Sequence, residues 1–75
     1  MIVKKGNFLL RKKKYEPSIW VFMCKVTGFE HERAVAKVIK KDTGYSTHKK
    51  VYLTDSNIKK YFHIISKEKA IALIV

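Results

Sequence analysis

Seventeen Lys and Arg stand against six Asp and Glu in this 75-residue chain, a formal charge of +11. No other feature constrains the fold as strongly. The charge is spread through Lys4-Lys5, Arg11 to Lys14, Lys40-Lys41, Lys49-Lys50 and Lys59-Lys60, so the folded body itself, and no single tail, must be positive. Such a body repels itself, and the repulsion falls when a polyanion settles on its surface.

The chain is still a folding one. Its apolar fraction of 47% and aromatic fraction of 12% exceed what a disordered basic tail carries. Its length fits one domain, residues 1–75, burying about 60% of the surface its unfolded chain exposes. Cys24 is the sole cysteine and lies in the apolar run Ile19–Cys24, which reads as a buried thiol in a reducing, cytoplasmic setting. The apolar runs are too short for a membrane span. Lys4 and Lys5 interrupt the N-terminus before a signal-peptide core forms. No membrane association is expected.

Periodicity supplies the elements. Residues 7–13 and Ile19 to Thr27 read as a β-hairpin around Tyr15-Glu16-Pro17-Ser18. In the second strand Trp20, Phe22, Cys24 and Val26 share the face expected to be core. Thr27-Gly28-Phe29-Glu30 has the form of a capping box. The stretch 28–41 then places His31, Ala34, Val35, Val38 and Ile39 on one helical arc, with acids first and Lys40-Lys41 last. A strand over 34–41 would put Lys37 between Val35 and Ile39, so the helix is preferred. Ser46 to Thr54 reads as a strand with Val51 and Leu53 on one face and Lys50 and Tyr52 on the other. Ile58, Tyr61, Phe62 and Ile65 repeat at i, i+3, i+4, i+7 and predict a helix over 57–66. Ala70 to Val75 is apolar throughout and predicts a final strand.

The fold expected is therefore α+β, a small single sheet with two helices packed on it, in the order β-β-α-β-α-β. Were 28–41 a strand, the chain would become a five-stranded SH3-like or OB-like barrel with one helical turn. Trp20, Phe22, Val38, Ile58, Phe62 and Leu73 are the expected core.

Function is read from charge and aromatics. Fifteen of the seventeen basic residues are Lys, which acts as a mobile point charge on phosphate where Arg would supply a base-reading fork. Arg11, Lys12, Lys13, Lys14, Lys40, Lys41, Lys49 and Lys50 lie at expected element ends and would form a basic rim. Tyr45, between two Lys doublets, is the candidate stacking ring, with Tyr15 and Tyr52 as further aromatics beside lysines. The expected activity is nucleic-acid binding, DNA or RNA, through the phosphate backbone with limited sequence specificity. The alternative is a small inhibitor or adaptor, of the kind phage and mobile-element genomes encode, whose basic face binds an acidic protein. Dimerisation through the C-terminal strand is a further expectation.

Enzymatic signals are weak. His31-Glu32 opens like a zinc-protease helix, but position 35 is Val where a second His would be needed. The three His and one Cys have no metal-ligand spacing, and Gly6, Gly28 and Gly44 stand apart, so no phosphate loop exists. No catalytic residue, metal or cofactor is expected.

Overall fold

Consecutive apolar residues in Phe8–Arg11 and at the start of Val21–Glu30 suit strands covered on both faces, and these segments pair as antiparallel β1 and β2, with Phe8 opposite Lys25 and Leu9 opposite Cys24. The computed structural model describes residues 2–15, 21–41, 44–45 and 49–74, with the backbone alone at 40, 41, 44, 45 and 74. A 3-10 turn, Lys13–Tyr15, follows β1. β2 turns back through His31-Glu32 into β3, Arg33–Lys41. Two short strands, β4 (Gly44–Tyr45) and β5 (Lys50–Leu53), share the outer edge of β3. Helix α1, Asp55–Tyr61, leads into β6, Phe62–Ile65, which pairs with β1, and helix α2, Lys67–Ile74, follows. The result is one antiparallel sheet of order β4/β5-β3-β2-β1-β6 with two helices, an α+β fold.

The expected class stands, while two elements change identity. Residues 28–41 are the end of β2, a tight turn and β3, and not a helix. One face of β3 is Ala34, Ala36 and Val38, each 0% exposed. Lys37 does lie between buried Val35 and half-buried Ile39 on the other face, but its own side chain is exposed, so the strand accommodates it. The C-terminal segment is a helix and not a strand. Ser66 starts it, its hydroxyl accepting from Lys69 N–H at 3.1 Å, and Ala70 and Leu73, at i and i+3, face the sheet. Dimerisation through a C-terminal strand therefore has no strand to use.

Helix α1 is shorter than the periodicity predicts. Thr54 caps it in a reciprocal box with Asn57, and Phe62 ends it with an extended backbone while its N–H still bonds Ile58. Ile58 and Phe62 do share one core, but Ile65 reaches the opposite side of the sheet because β6 alternates.

Each helix covers one face. On the α1 side Ile58 of the helix packs in one cluster with Val3, Leu9, Val21, Cys24, Val26, Ala34, Ala36, Val38 and Phe62. Full burial of Leu9 and Ile58 stabilises by about 1.5–3 kcal/mol each. Under α2 lie Phe8, Met23, Ile65 and Ala70, with Leu10, Phe22, Ile39 and Leu73 at the margin. Phe22 thus sits opposite the expected side. The β2–β3 register shifts on either side of Met23, and this irregularity sends adjacent Phe22 and Met23 to one face while Val21 and Cys24 take the other. Trp20 lies outside the described residues.

The N-terminal segment is tied down locally. Gly6, at φ 97°, makes the bend that lets Asn7 bond Lys4 both ways. Ile2 N–H donates to the Asp55 carboxylate at 3.0 Å.

Candidate functional site

The residues expected to form a basic rim divide into groups with different duties. Arg11 is only 5% exposed, with its guanidinium carbon 5.6 Å from the centre of the Phe22 ring. Lys12 is half-buried, and its ammonium donates to the Lys59 carbonyl at 2.6 Å, satisfying a free acceptor in the last turn of α1. Both residues brace the fold. Lys13 and Lys14 are exposed. The Lys14 ammonium stands 5.2 Å over Tyr15, Tyr15 meets Tyr61 edge-on with centroids 4.8 Å apart, and Lys60 stands 5.2 Å over Tyr61. This cluster of cations on paired rings joins the 3-10 turn to the end of α1.

Lys40 and Lys41 close β3, with Lys40 opposite Tyr45 and Lys41 opposite Gly44; their side chains and that of Tyr45 lie outside the described residues. Lys49 accepts from Val38 N–H at 2.9 Å through its carbonyl, and Lys50 pairs with Lys37. The two doublets therefore meet β3 three positions apart, about 10 Å along the strand.

The register builds a different basic feature. Lys25 of β2 is opposite Lys37 of β3, and Lys37 is opposite Lys50 of β5. All three are exposed. Because cross-strand partners share a face, the three side chains form a row perpendicular to the strands, on the α2 side of the sheet beyond the area α2 covers. The row continues into Phe8, whose ring lies 5.6 Å from the Lys25 ammonium. Adjacent strands are about 4.8 Å apart, so three lysines fall within about 10 Å. Like charges directly opposite destabilise a sheet. Lys37, between two others, carries two such contacts.

One strand-repeat from the lysine row, on the same face, lies the row Tyr52, Val35 and Gly28. Tyr52 is 51% exposed. At Gly28 a Cβ would meet no atom within 4 Å, so the surface there is open. Lysines and an aromatic ring thus share one solvated patch.

Sequence reasoning found Lys50 and counted Tyr52 among the aromatics beside lysines, but missed Lys25 and Lys37. Their signal was present in the alternation Val35-Lys37-Ile39 and Met23-Lys25, and was masked once 28–41 was read as a helix.

Other chemistry finds little to build on. Among the described residues no three His, Cys, Asp or Glu side chains gather as metal ligands. Burial pushes the Cys24 thiol up to about 12, which holds it in the unreactive protonated form. His31 and Glu30, 3.8 Å apart, are both well exposed on the β2–β3 turn. No helix among the described residues is long and apolar enough to cross a membrane. The chain matches no known family model, no curated protein and no solved structure, so what it does must be read from its own residues.

Proposed function

We propose that this is a nucleic-acid-binding domain that holds phosphate backbone across the open face of its sheet with limited sequence specificity. The observation that carries the reading is the cross-strand row Lys25–Lys37–Lys50. Its cost in the free protein has a ready return when phosphates lie over it, and its pitch of about 4.8 Å per strand lets flexible lysines follow consecutive phosphates. The net charge of +11 adds long-range attraction and speeds encounter. Arg11 and Arg33 are the only arginines; with Arg11 buried, bidentate reading of guanine edges has little to draw on.

The test is a fluorescence-anisotropy titration of labelled oligonucleotides between about 50 and 200 mM salt. Lys25→Gln, Lys37→Gln and Lys50→Gln together should reduce the slope of log K against log salt by about 2–3, or 0.7–0.9 per phosphate contact. The reading fails if the triple variant keeps the parent's affinity and slope. A parent that ignores nucleic acid but binds an acidic polypeptide would transfer the basic face to a protein partner.

A further inference from the structure

The row beside the lysines has the form of a stacking platform, and we infer that it takes one unpaired nucleobase of a single-stranded nucleic acid. The inference rests on the phosphate-binding reading above and names the part of the strand that the lysines leave unexplained.

The surface steps down across three strands. Tyr52 on β5 stands half-exposed, its cross-strand partner Val35 is nearly buried at 9% exposure, and Val35's other partner is Gly28. A ring, a short branched side chain and bare backbone therefore follow one another across about 10 Å. A planar base lying against the exposed Tyr52 ring would extend over the already buried Val35 toward Gly28, where no neighbouring atom comes within 4 Å of a Cβ position. Gly28 does not have positive φ, so turn geometry does not demand glycine there. Its use to the molecule is the open space.

The neighbouring row fixes which ligand suits the platform. Lys50 and Tyr52 are two residues apart on one face of β5, as are Lys37 and Val35 on β3, a separation of about 6.6 Å along the strand. A base on Tyr52 thus has its own backbone within reach of the lysines. In a duplex the base faces are stacked on one another and are closed to Tyr52, whereas an unpaired base offers its face freely. Helix α2 covers the apolar half of this side, over Phe8, Met23 and Ile65, and leaves the Tyr52 row open. Stacking and lysine–phosphate contact both leave the sugar 2′ position unread, so ribose and deoxyribose strands serve equally.

The experiment compares a single strand of about ten nucleotides with a blunt-ended duplex of two complementary strands of similar total charge, using the full chain and variants Tyr52→Leu, Tyr52→Phe and Gly28→Ile. A thermal melt confirms that each variant folds. Tyr52→Leu and Gly28→Ile should weaken single-strand binding about 5- to 100-fold and leave duplex binding unchanged. Tyr52→Phe should stay close to the parent. A 2-aminopurine base in the single strand should lose fluorescence on binding the parent and less on binding Tyr52→Leu, a readout that stands even if Gly28→Ile folds poorly. The inference is overturned if Tyr52→Leu binds single strands as the parent does, or if single-strand and duplex affinity fall together. Loss of binding in the lysine variants with no loss in Tyr52→Leu removes the platform and keeps the phosphate reading. A parent that binds neither ligand removes both.

Discussion

Removing the middle lysine of the row should make the protein more stable and worse at binding. Lys37 is opposed on one side by Lys25 and on the other by Lys50, so Lys37→Gln deletes two like-charge contacts at once, while Lys25→Gln or Lys50→Gln deletes one. Cross-strand pairs contribute about 0.2–1 kcal/mol each. The three lysines are exposed, and solvent screening holds the sum for two pairs to about 0.5–1 kcal/mol at low salt. For a domain of this size that is a rise in Tm of about 2–8 °C. The assay is a thermal melt at low ionic strength and again near 1 M salt, where the Debye length falls to about 3 Å and the gain should vanish. Lys5→Gln, an exposed change away from the row, reports what the loss of one net charge does by itself. Equal gains from Lys37→Gln and Lys5→Gln, or a gain that persists at 1 M salt, would refute the argument that the row stores repulsion. The same variant should lower the salt slope of binding by about 0.7–0.9.

Other consequences of the packing can be checked with the same preparations. Phe62 is 6% exposed within the α1-side core, so Phe62→Ala should lose about 3–5 kcal/mol in urea titration, enough to threaten so small a domain. Thr54→Ala removes the α1 capping box and should cost about 1 kcal/mol. Thr27→Ala, by contrast, loses only the bond its hydroxyl donates to the Val35 carbonyl at 3.2 Å, worth about 0.5–1.5 kcal/mol, and backbone shifts over 33–41 should be extended in both variants. The Cys24 thiol is raised by burial from 9.0 to about 12. The unfolded chain therefore ionises first, and stability should fall as pH rises from 9 to 12; this loss should be smaller in Cys24→Ala.

The parts of the fold legible in the sequence are those where local pattern and tertiary use agree. The β1–β2 pairing follows from two apolar, strand-forming runs on either side of a turn signal, and the separation of Val51 and Leu53 from Lys50 and Tyr52 follows from alternation. The run Thr54-Asp55-Ser56-Asn57 offers several capping residues ahead of a helical repeat, and only the structure singles out Thr54. Misreadings arose where one pattern served two geometries. Ile58, Tyr61, Phe62 and Ile65 have helical spacing, yet the chain leaves the helix at Phe62 because β1 offers a partner for Phe62–Ile65. Ala70 to Leu73 has no polar residue to mark an outer side, so its helix shows only in the Ser66 start. The lysine row was hidden for a related reason: cross-strand neighbours are twelve or thirteen residues apart in sequence, and no local window joins Lys25 to Lys37 to Lys50.

The hardest signal lies at His31-Glu32, and it carries a last prediction. Glu30 pairs with Arg33, so these two residues form a two-residue hairpin loop, with φ of 50° at His31 and 63° at Glu32. Positive φ at both central positions is the type I′ arrangement that matches strand twist, and Asn-Gly is the sequence that adopts it with least strain. Here no Asn, Gly or Pro announces the turn. Instead Thr27 and Glu30 imitate a helix cap, which is why 28–41 reads as a helix. The left-handed conformation costs an ordinary residue about 1–2 kcal/mol, and Glu32 has no short side chain to soften it. His31→Asn with Glu32→Gly should therefore stabilise the hairpin, less the extra freedom that glycine gives the unfolded chain, for a net gain of about 0.5–1.5 kcal/mol. Urea titration of the double variant measures it. Glu32→Gly alone should capture most of the gain, because His tolerates positive φ better than Glu. A double variant no more stable than the parent would mean that the turn is held without strain. In that case the β2–β3 pairing would draw its stability from the alanine-lined core beneath α1 alone.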